Sequence, residues 1–331
     1  MNKRDKKVRV GIIGVGHLGK HHVKHLAAMD NVECVGLYDI DEARATVISD
    51  KYNVKSYDSL EALLSDCDAV TIVTPTDTHF NVASDCLTAG KHVFIEKPIT
   101  KSVAEAEQLL TLANANKVLI QVGHIERLNP ALIPLKNYSI SPKYIEIQRL
   151  APYDVRGTDV PVVLDKMIHD LDILLSLVNS EVESINANGI SILTDSVDIA
   201  NARIRFKNGT IANITSSRVA QDHVRKTKIF QQDLYITIDF LLGITEIYRV
   251  IDPDEQDPDA IKDVQFQYGD NTKKIVYEKP DIPLFDALKA ELNNFTNSVQ
   301  GSATPIVDGQ AGKNALELAS NIHDLILEDL H

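Results

Sequence analysis

The chain has no tryptophan, only three cysteines and three methionines, and 5% aromatic residues. Cys34, Cys67 and Cys86 sit in apolar or helical stretches without C-x-x-C spacing. That excludes a thiolate zinc site or dithiol redox motif and leaves core thiols in a reducing cytoplasm as the expectation. No metal is expected elsewhere: the acidic run Asp252 to Asp259, DPDEQDPD, lacks the glycine and spacing of a calcium loop and reads as an exposed loop. No window reaches the roughly 18 apolar residues of a membrane span. The basic start MNKRDKK lacks the apolar run of a signal peptide, because Gly11 and Gly14 break it, so no membrane partner is expected. Positive charge is also in deficit. With 34 Lys and Arg against 47 Asp and Glu, the net charge of −13 argues against a general nucleic-acid surface, and any anionic ligand needs a local basic pocket. Internal repeats and low-complexity linkers are missing too.

What is present is enough apolar sequence, 44% of 331 residues, for a globular protein of about two domains. Its strongest local signal is Val8 to Lys20, VRVGIIGVGHLGK: a buried strand, a glycine turn and the start of a helix. Gly14, Gly16 and Gly19 fit G-x-G-x-x-G. The first allows a tight turn, the second lets a pyrophosphate approach the backbone, and the third lets the helix pack close to the sheet. N–H groups of the helix that begins near His17 and Leu18 would face the phosphates. A second strand, Val32 to Tyr38, ends at Asp39, which stands 25 positions after Gly14 with Ile40 beside it. A carboxylate there binds ribose hydroxyls and repels a 2′-phosphate, favouring NAD over NADP. Arg44 lies a turn into the next helix, so no arginine follows Asp39 immediately. The other reading of Asp39 and Asp41 is a helix N-cap pair, and Asp41 is taken as the cap.

Strands and helices alternate to about Val122, including a short strand Val54 to Ser56, which predicts an α/β Rossmann domain with a doubly wound parallel sheet over 1–125. Ligands of such sheets lie beyond the carboxyl ends of the strands. Thr74-Pro75-Thr76 with His79, Glu96-Lys97-Pro98, and Gln121 to His124 are therefore candidates, although a Pro turn with a helix cap also accounts for the first and His79 also fits a helix start. From residue 126 strands dominate, predicting a carboxyl-terminal α+β domain over 126–331 with a large, mostly antiparallel sheet. Asn208-Gly209 there reads as a type I′ hairpin turn. One helix, Val163 to Asn179, carries an apolar stripe of Leu164, Ile168, Leu171, Leu175 and Val178 beside a polar stripe of Asp165, His169 and Asp172. An aspartate one turn before a histidine can raise its basicity for proton transfer, and is also a common helix-surface pair. Arg218, Arg225, Lys226 and Lys228, with Arg149 and Arg156, either form a diphosphate site, or are alternate-strand solvent positions or pair with acids across a dimer interface.

The turn GVGHLG, the run TPT-x-x-H and above all E-K-P at Glu96 to Pro98 together resemble the Gfo/Idh/MocA family. The resemblance implies NAD(P)-dependent oxidation or reduction of a sugar or cyclitol hydroxyl, with NAD as cofactor. Lys97 would stand near the nicotinamide and the substrate, and the Lys97-Pro98 bond would be cis. LDKMIHDLDI is similar to the family's D-x-x-x-H segment, which makes His169 the general acid/base, Asp165 its partner and a substrate ligand, and Asp172 structural. Val162-Val163 replaces the glycine pair usual before that aspartate. GHIERLNP, RLAPYDVRGTDV and SSRVAQDHVRKTKIFQQDLYITIDF resemble the branch acting on UDP-N-acetylglucosamine, whose ketone product feeds an aminotransferase. That adds Arg127, Arg149, Tyr153, Arg156 and Arg225 to Lys97, Asp165 and His169 as implied substrate ligands. A free sugar or inositol dehydrogenase, or a redox-silent NAD-binding regulator, is the alternative. An exposed sheet face in the second domain predicts a homodimer or homotetramer.

Overall fold

The computed structural model describes residues 7–154, 160–269, 271–283 and 285–330. Its amino-terminal part runs β1 (Val8–Ile13), α1 (Gly19–Ala27), β2 (Val32–Tyr38), α2 (Glu42–Tyr52), α3 (Leu60–Asp66), β3 (Ala69–Ile72), α4 (Thr76–Thr88), β4 (His92–Glu96), α5 (Val103–Asn116) and β5 (Ile120–Gly123). The five strands are parallel and ordered β2-β1-β3-β4-β5. They are near-continuous apolar runs because helices cover both faces; Val10, Ile12, Val70, Phe94 and Ile95 are fully buried. The chain leaves β1 on one side for β2 and on the other for β3. That reversal opens a crevice at the carboxyl ends of the strands. Local signals act as expected: Asp41 caps α2 through the Arg44 N–H, and Ser102 with Glu105 forms a capping box on α5. The expected strand Val54 to Ser56 shrinks to a single bridge, because only Leu37 of β2 pairs with it.

The chain forms two compact units, Met1–Leu128 with Asp286–Glu317, and Asn129–Phe285 with Leu318–His331. This differs from a single cut at 125/126. The reason lies in α7 (Ala287–Val299), whose Leu292 and Phe295 complete the core that contains Val10, Ile12 and Phe94. Phe295 meets Phe94 edge to face at 5.7 Å. The helical spacing of Leu288, Leu292, Phe295 and Val299 is visible in the sequence, but the core it joins is a long-range matter.

The second unit is built on a nine-stranded sheet ordered β13-β14-β12-β11-β10-β6-β9-β8-β7. Its strands are β6 (Tyr144–Leu150), β7 (Val182–Ile190), β8 (Ile199–Phe206), β9 (Ile211–Ser217), β10 (Val224–Gln231), β11 (Leu234–Asp239), β12 (Ile244–Ile251), β13 (Lys262–Tyr268) and β14 (Asn271–Glu278). Only the β6–β9 pair is parallel among them. The hairpin β13–β14, polar in sequence, was not anticipated. One face is the core, with Ile145, Ile214, Ile229, Ile236 and Ile247 fully buried. The expected helix over Val163 to Asn179 is α6 (Ile168–Val178) preceded by a π turn, Val163–Met167, in which the Ile168 N–H reaches back to the Val163 carbonyl. The turn at Asn208-Gly209 is not type I′. Gly209 is left-handed (φ 85°) while Asn208 is not, and Phe206 pairs with Thr210 around a three-residue loop, the type I turn plus bulge alternative. A final helix, α8 (Gly309–Leu330), follows α7, and no helix among the described residues is long and apolar enough to cross a membrane.

Candidate active site

The glycine turn has the sterics of a phosphate cradle. Gly14 has φ 85°, and a Cβ on it would stand 2.8 Å from the Val73 carbonyl oxygen. A Cβ on Gly19 would approach the Gly14 carbonyl oxygen to 2.0 Å, so the start of α1 is pressed against the turn. A Cβ on Gly16 meets nothing within 4 Å, which makes this the open side of the turn. In front of it lies a cleft of about 470 Å³. Gly14, Gly16, His17, Leu18, Asp39, Ile40, Thr74, Pro75, Glu96 and Lys97, all expected at the cofactor, line it. Ile13, Tyr38, Arg44, Leu60, Val73, Thr78 and Val82 also line it and were missed. Pro75, Thr78 and Val82 follow one face at helical spacing, a signal that could have found the latter two. The residues thus fit a dinucleotide: an open, side-chain-free turn at a helix start, apolar walls, and an acid at the end of β2.

Asp39 is buried and already engaged. Its Oδ2 accepts the Val15 N–H at 2.8 Å and its Oδ1 the Asp41 N–H at 2.9 Å, so it braces the glycine turn from the neighbouring strand. A carboxylate offers about four acceptor positions, which leaves capacity for ribose hydroxyls. The Arg44 guanidinium lies 3.4 Å from Asp39 Oδ2 and 2.8 Å from Asp41 Oδ2. A helix turn of separation in sequence is no separation here.

The E-K-P segment is held from three sides. Glu96 Oε1 stands 3.2 Å from His22 Nε2 of α1, and its Oε2 accepts the Lys97 N–H at 3.3 Å. A Cβ on Gly123 would come within 2.9 Å of the same carboxylate, so β5 must present glycine there. The Lys97-Pro98 peptide is cis, as the family resemblance implied. His79 does not reach the cleft. Its buried ring bridges the two motifs, with Nδ1 2.9 Å from the Pro98 carbonyl and Nε2 2.9 Å from the Thr74 carbonyl. Burial pushes its pKa down, with those two carbonyls pulling against it. Three other expected cofactor residues are also absent from the cleft lining. Gly19 packs α1 on the turn, Thr76 opens α4, and the buried Gln121 donates to the Glu291 carbonyl at 3.2 Å.

In the second unit, Asp165 lies on the π turn, half-buried and 3.4 Å from Lys166 Nζ, and His169 is half-buried in the first turn of α6. Asp172 is buried. Two of the arginines are buried against aspartates. Arg149, expected at the substrate, is 5% exposed and forks onto Asp170, with Nε to Oδ2 at 2.7 Å and Nη2 to Oδ1 at 2.9 Å. It ties β6 to α6. Arg218 is buried against Asp198 at 2.8 Å and donates to the Val160 carbonyl at 2.7 Å. Lys226 pairs with Asp239 at 3.4 Å and Lys228 with Glu146 at 3.5 Å. Three cations of the basic run, Arg218, Lys226 and Lys228, thus meet acids that the sequence scatters over other segments of this unit. Arg225 is half-buried, in register with Arg149. Arg127 is half-buried in the 3-10 turn Ile125–Leu128 and Tyr153 is 45% exposed, while Arg156 lies outside the described residues.

Residues 8–124 match the model of an oxidoreductase family with an NAD-binding Rossmann fold, GFO/IDH/MocA, and residues 154–236 match the GFO/IDH/MocA carboxyl-terminal domain. The chain is 36% identical over 316 residues to UDP-N-acetylglucosamine 3-dehydrogenase of Acidithiobacillus ferrooxidans, covering 95% of this chain and 96% of that one. A solved structure of the enzyme from that organism superposes with a TM-score of 0.88 at 35% identity, covering 98% and 100% of the two chains. Myo-inositol 2-dehydrogenase of Thermotoga maritima is 28% identical over 331 aligned residues, 94% of each chain.

Proposed function

This chain belongs to the GFO/IDH/MocA oxidoreductase family, and on that premise we propose that it oxidises the 3-hydroxyl of UDP-N-acetylglucosamine to a ketone. It is an NAD-dependent oxidoreductase acting on a CH–OH group. The observation that carries the substrate is the full-length likeness to the Acidithiobacillus ferrooxidans enzyme, 36% identical over 95% of this chain. Gly14, Gly16, Asp39 and Ile40 would hold NAD, which supplies the hydride acceptor. The reaction also releases the hydroxyl proton. We assign its removal to His169, with Asp165 one turn before it orienting the ring, and assign Lys97 to holding the oxygen as negative charge develops on it. The alcohol thus loses a hydride and a proton and becomes a ketone.

A second reading, a free sugar or inositol as substrate, is supported by the internal pairing of Lys226 and Lys228, which gives two cations of the basic run acid partners within the sheet. We further propose that the enzyme works in the cytoplasm, that an aminotransferase consumes its ketone, and that it forms a homodimer or homotetramer. The last rests on the uncovered sheet face, where Tyr144, Phe230, Tyr235, Tyr248 and Tyr277 form a row with ring centroids 4.6 to 5.7 Å apart. Light scattering that finds only monomer at micromolar concentration would reject it.

The test of function is NADH absorbance with UDP-N-acetylglucosamine, UDP-glucose, glucose and myo-inositol, with and without 2-oxoglutarate and an aminotransferase. Signal only with UDP-N-acetylglucosamine is expected, and a signal confined to a free polyol promotes the second reading. His169→Ala and Lys97→Ala should each lower kcat by about 10²- to 10⁴-fold. Retained turnover in both would remove them from the chemistry.

A further inference from the structure

The adenosine end of the cleft carries a cation that simple reading of the Asp39 motif leaves out. Among the described residues lining the cleft, the arginine and lysine side chains are Arg44 and Lys97. Lys97 follows β4 and Arg44 stands beside the end of β2, and these strands are three places apart in the sheet, about 14 Å. Only Arg44 is therefore near Asp39. Its guanidinium is half-exposed and sits against two carboxylates: Nη2 is 2.8 Å from Asp41 Oδ2, whereas Nη1 is 3.5 and 3.4 Å from Asp39 Oδ1 and Oδ2. The two long contacts are at the limit of hydrogen bonding and easily exchanged for better acceptors. Asp39 meanwhile takes the Val15 and Asp41 N–H groups on its two oxygens and is itself buried, so it cannot turn away from a ligand.

We propose that Arg44 is a specificity-determining residue for the dinucleotide: it offsets the Asp39 charge and would meet a 2′-phosphate, so that the site admits NADP as well as NAD. A fixed carboxylate alone at this place rejects that phosphate, and an arginine nearby accommodates it. Here both are present. Asp39 and Asp41 still outnumber Arg44, which makes NAD the tighter ligand; Arg44 sets the margin. The guanidinium is suited to this because its planar fork can leave the long Asp39 contacts and give two N–H groups to phosphate oxygens while Nη2 stays on Asp41.

The inference rests on the reading of the cleft as a dinucleotide site, and binding measured without turnover separates the two. The chain has no tryptophan, so emission of bound NADH or NADPH is excited directly, free of transfer from indole. Titration of the intact protein should find both bound, NADH more tightly. Arg44→Ala should weaken NADPH by at least about tenfold and NADH by less than about threefold, since only NADPH loses a charge-assisted bond. Arg44→Lys should fall between. The NADPH dissociation constant of the natural protein should also climb more steeply with salt than that of NADH, and the excess slope should vanish in Arg44→Ala. Equal weakening of both cofactors, or natural protein that binds NADH but not NADPH at millimolar concentration, overturns the proposal. Failure to bind either would instead overturn the dinucleotide reading of the cleft.

Discussion

Two buried aspartates, Asp39 in the first unit and Asp198 in the second, are built alike and do different work. Both take backbone N–H groups and both have an arginine. Asp39 binds two N–H groups, and its arginine is half-exposed at contacts of 3.4 to 3.5 Å. Asp198 binds three, from Ile192, Leu193 and Thr194, together with the Thr194 hydroxyl and the buried Arg218. Burial opposes its ionisation. The N–H groups of Leu193 and Ile192, then Thr194 and Arg218, outweigh that and hold its carboxyl well below the usual carboxylate range. The difference teaches where function lies. A saturated carboxylate is a brace, whereas one that faces a cleft with a loosely held partner keeps acceptor capacity for a ligand.

The comparison breaks most visibly at the brace. Asp198→Ala removes the buried carboxylate that faces the Arg218 guanidinium and accepts three backbone N–H groups, and should cost about 3–5 kcal/mol in urea unfolding, while NADH binding by the first unit stays intact. A loss under about 1 kcal/mol would make Asp198 no more than a surface-type pair. The pH dependence has a definite sign. The folded pKa is depressed, so the stability from Asp198 is present above its ordinary value of 3.8 and is lost only as pH falls through the lower folded value. Unfolding curves between pH 7 and 4 should therefore show this contribution undiminished when compared with Asp198→Ala.

A smaller effect separates brace from cradle within the glycine turn. Gly19→Ala drives a methyl into the Gly14 carbonyl and should cost about 1–3 kcal/mol. Gly16→Ala has open space and should change stability by less than about 0.5 kcal/mol, yet its methyl enters the cleft and should weaken NADH binding. Equal effects of the two on stability would dissolve the distinction. The smallest effect belongs to the half-exposed pairs of the second unit. Lys226→Ala and Lys228→Ala should each cost no more than about 1 kcal/mol. Their KM for UDP-N-acetylglucosamine should be unchanged, because both ammonium groups face acids of the same sheet. A large rise in KM would return the basic run to the diphosphate.

The sequence by itself determined most of the strands, though not the polar hairpin β13–β14, together with the helix caps and the glycine turn, because these follow from residues a few positions apart: β-branched runs, Ser102 with Glu105, Gly14 with Gly16 and Gly19. Most residues of the cleft were legible for the same reason, since a parallel sheet delivers the ends of its strands to one edge. Tertiary structure alone decided the partners. Nothing local joins His22 to Glu96, His79 to Pro98, Arg149 to Asp170 or Arg218 to Asp198 across 19 to 74 positions, and α7 discloses an apolar stripe but not the core that takes it. Periodicity reports which way a side chain faces within its own element, and charge reports what it could bind. What it does bind depends on which acids and carbonyls the fold brings within 3 Å or so, and that is a property of the whole chain.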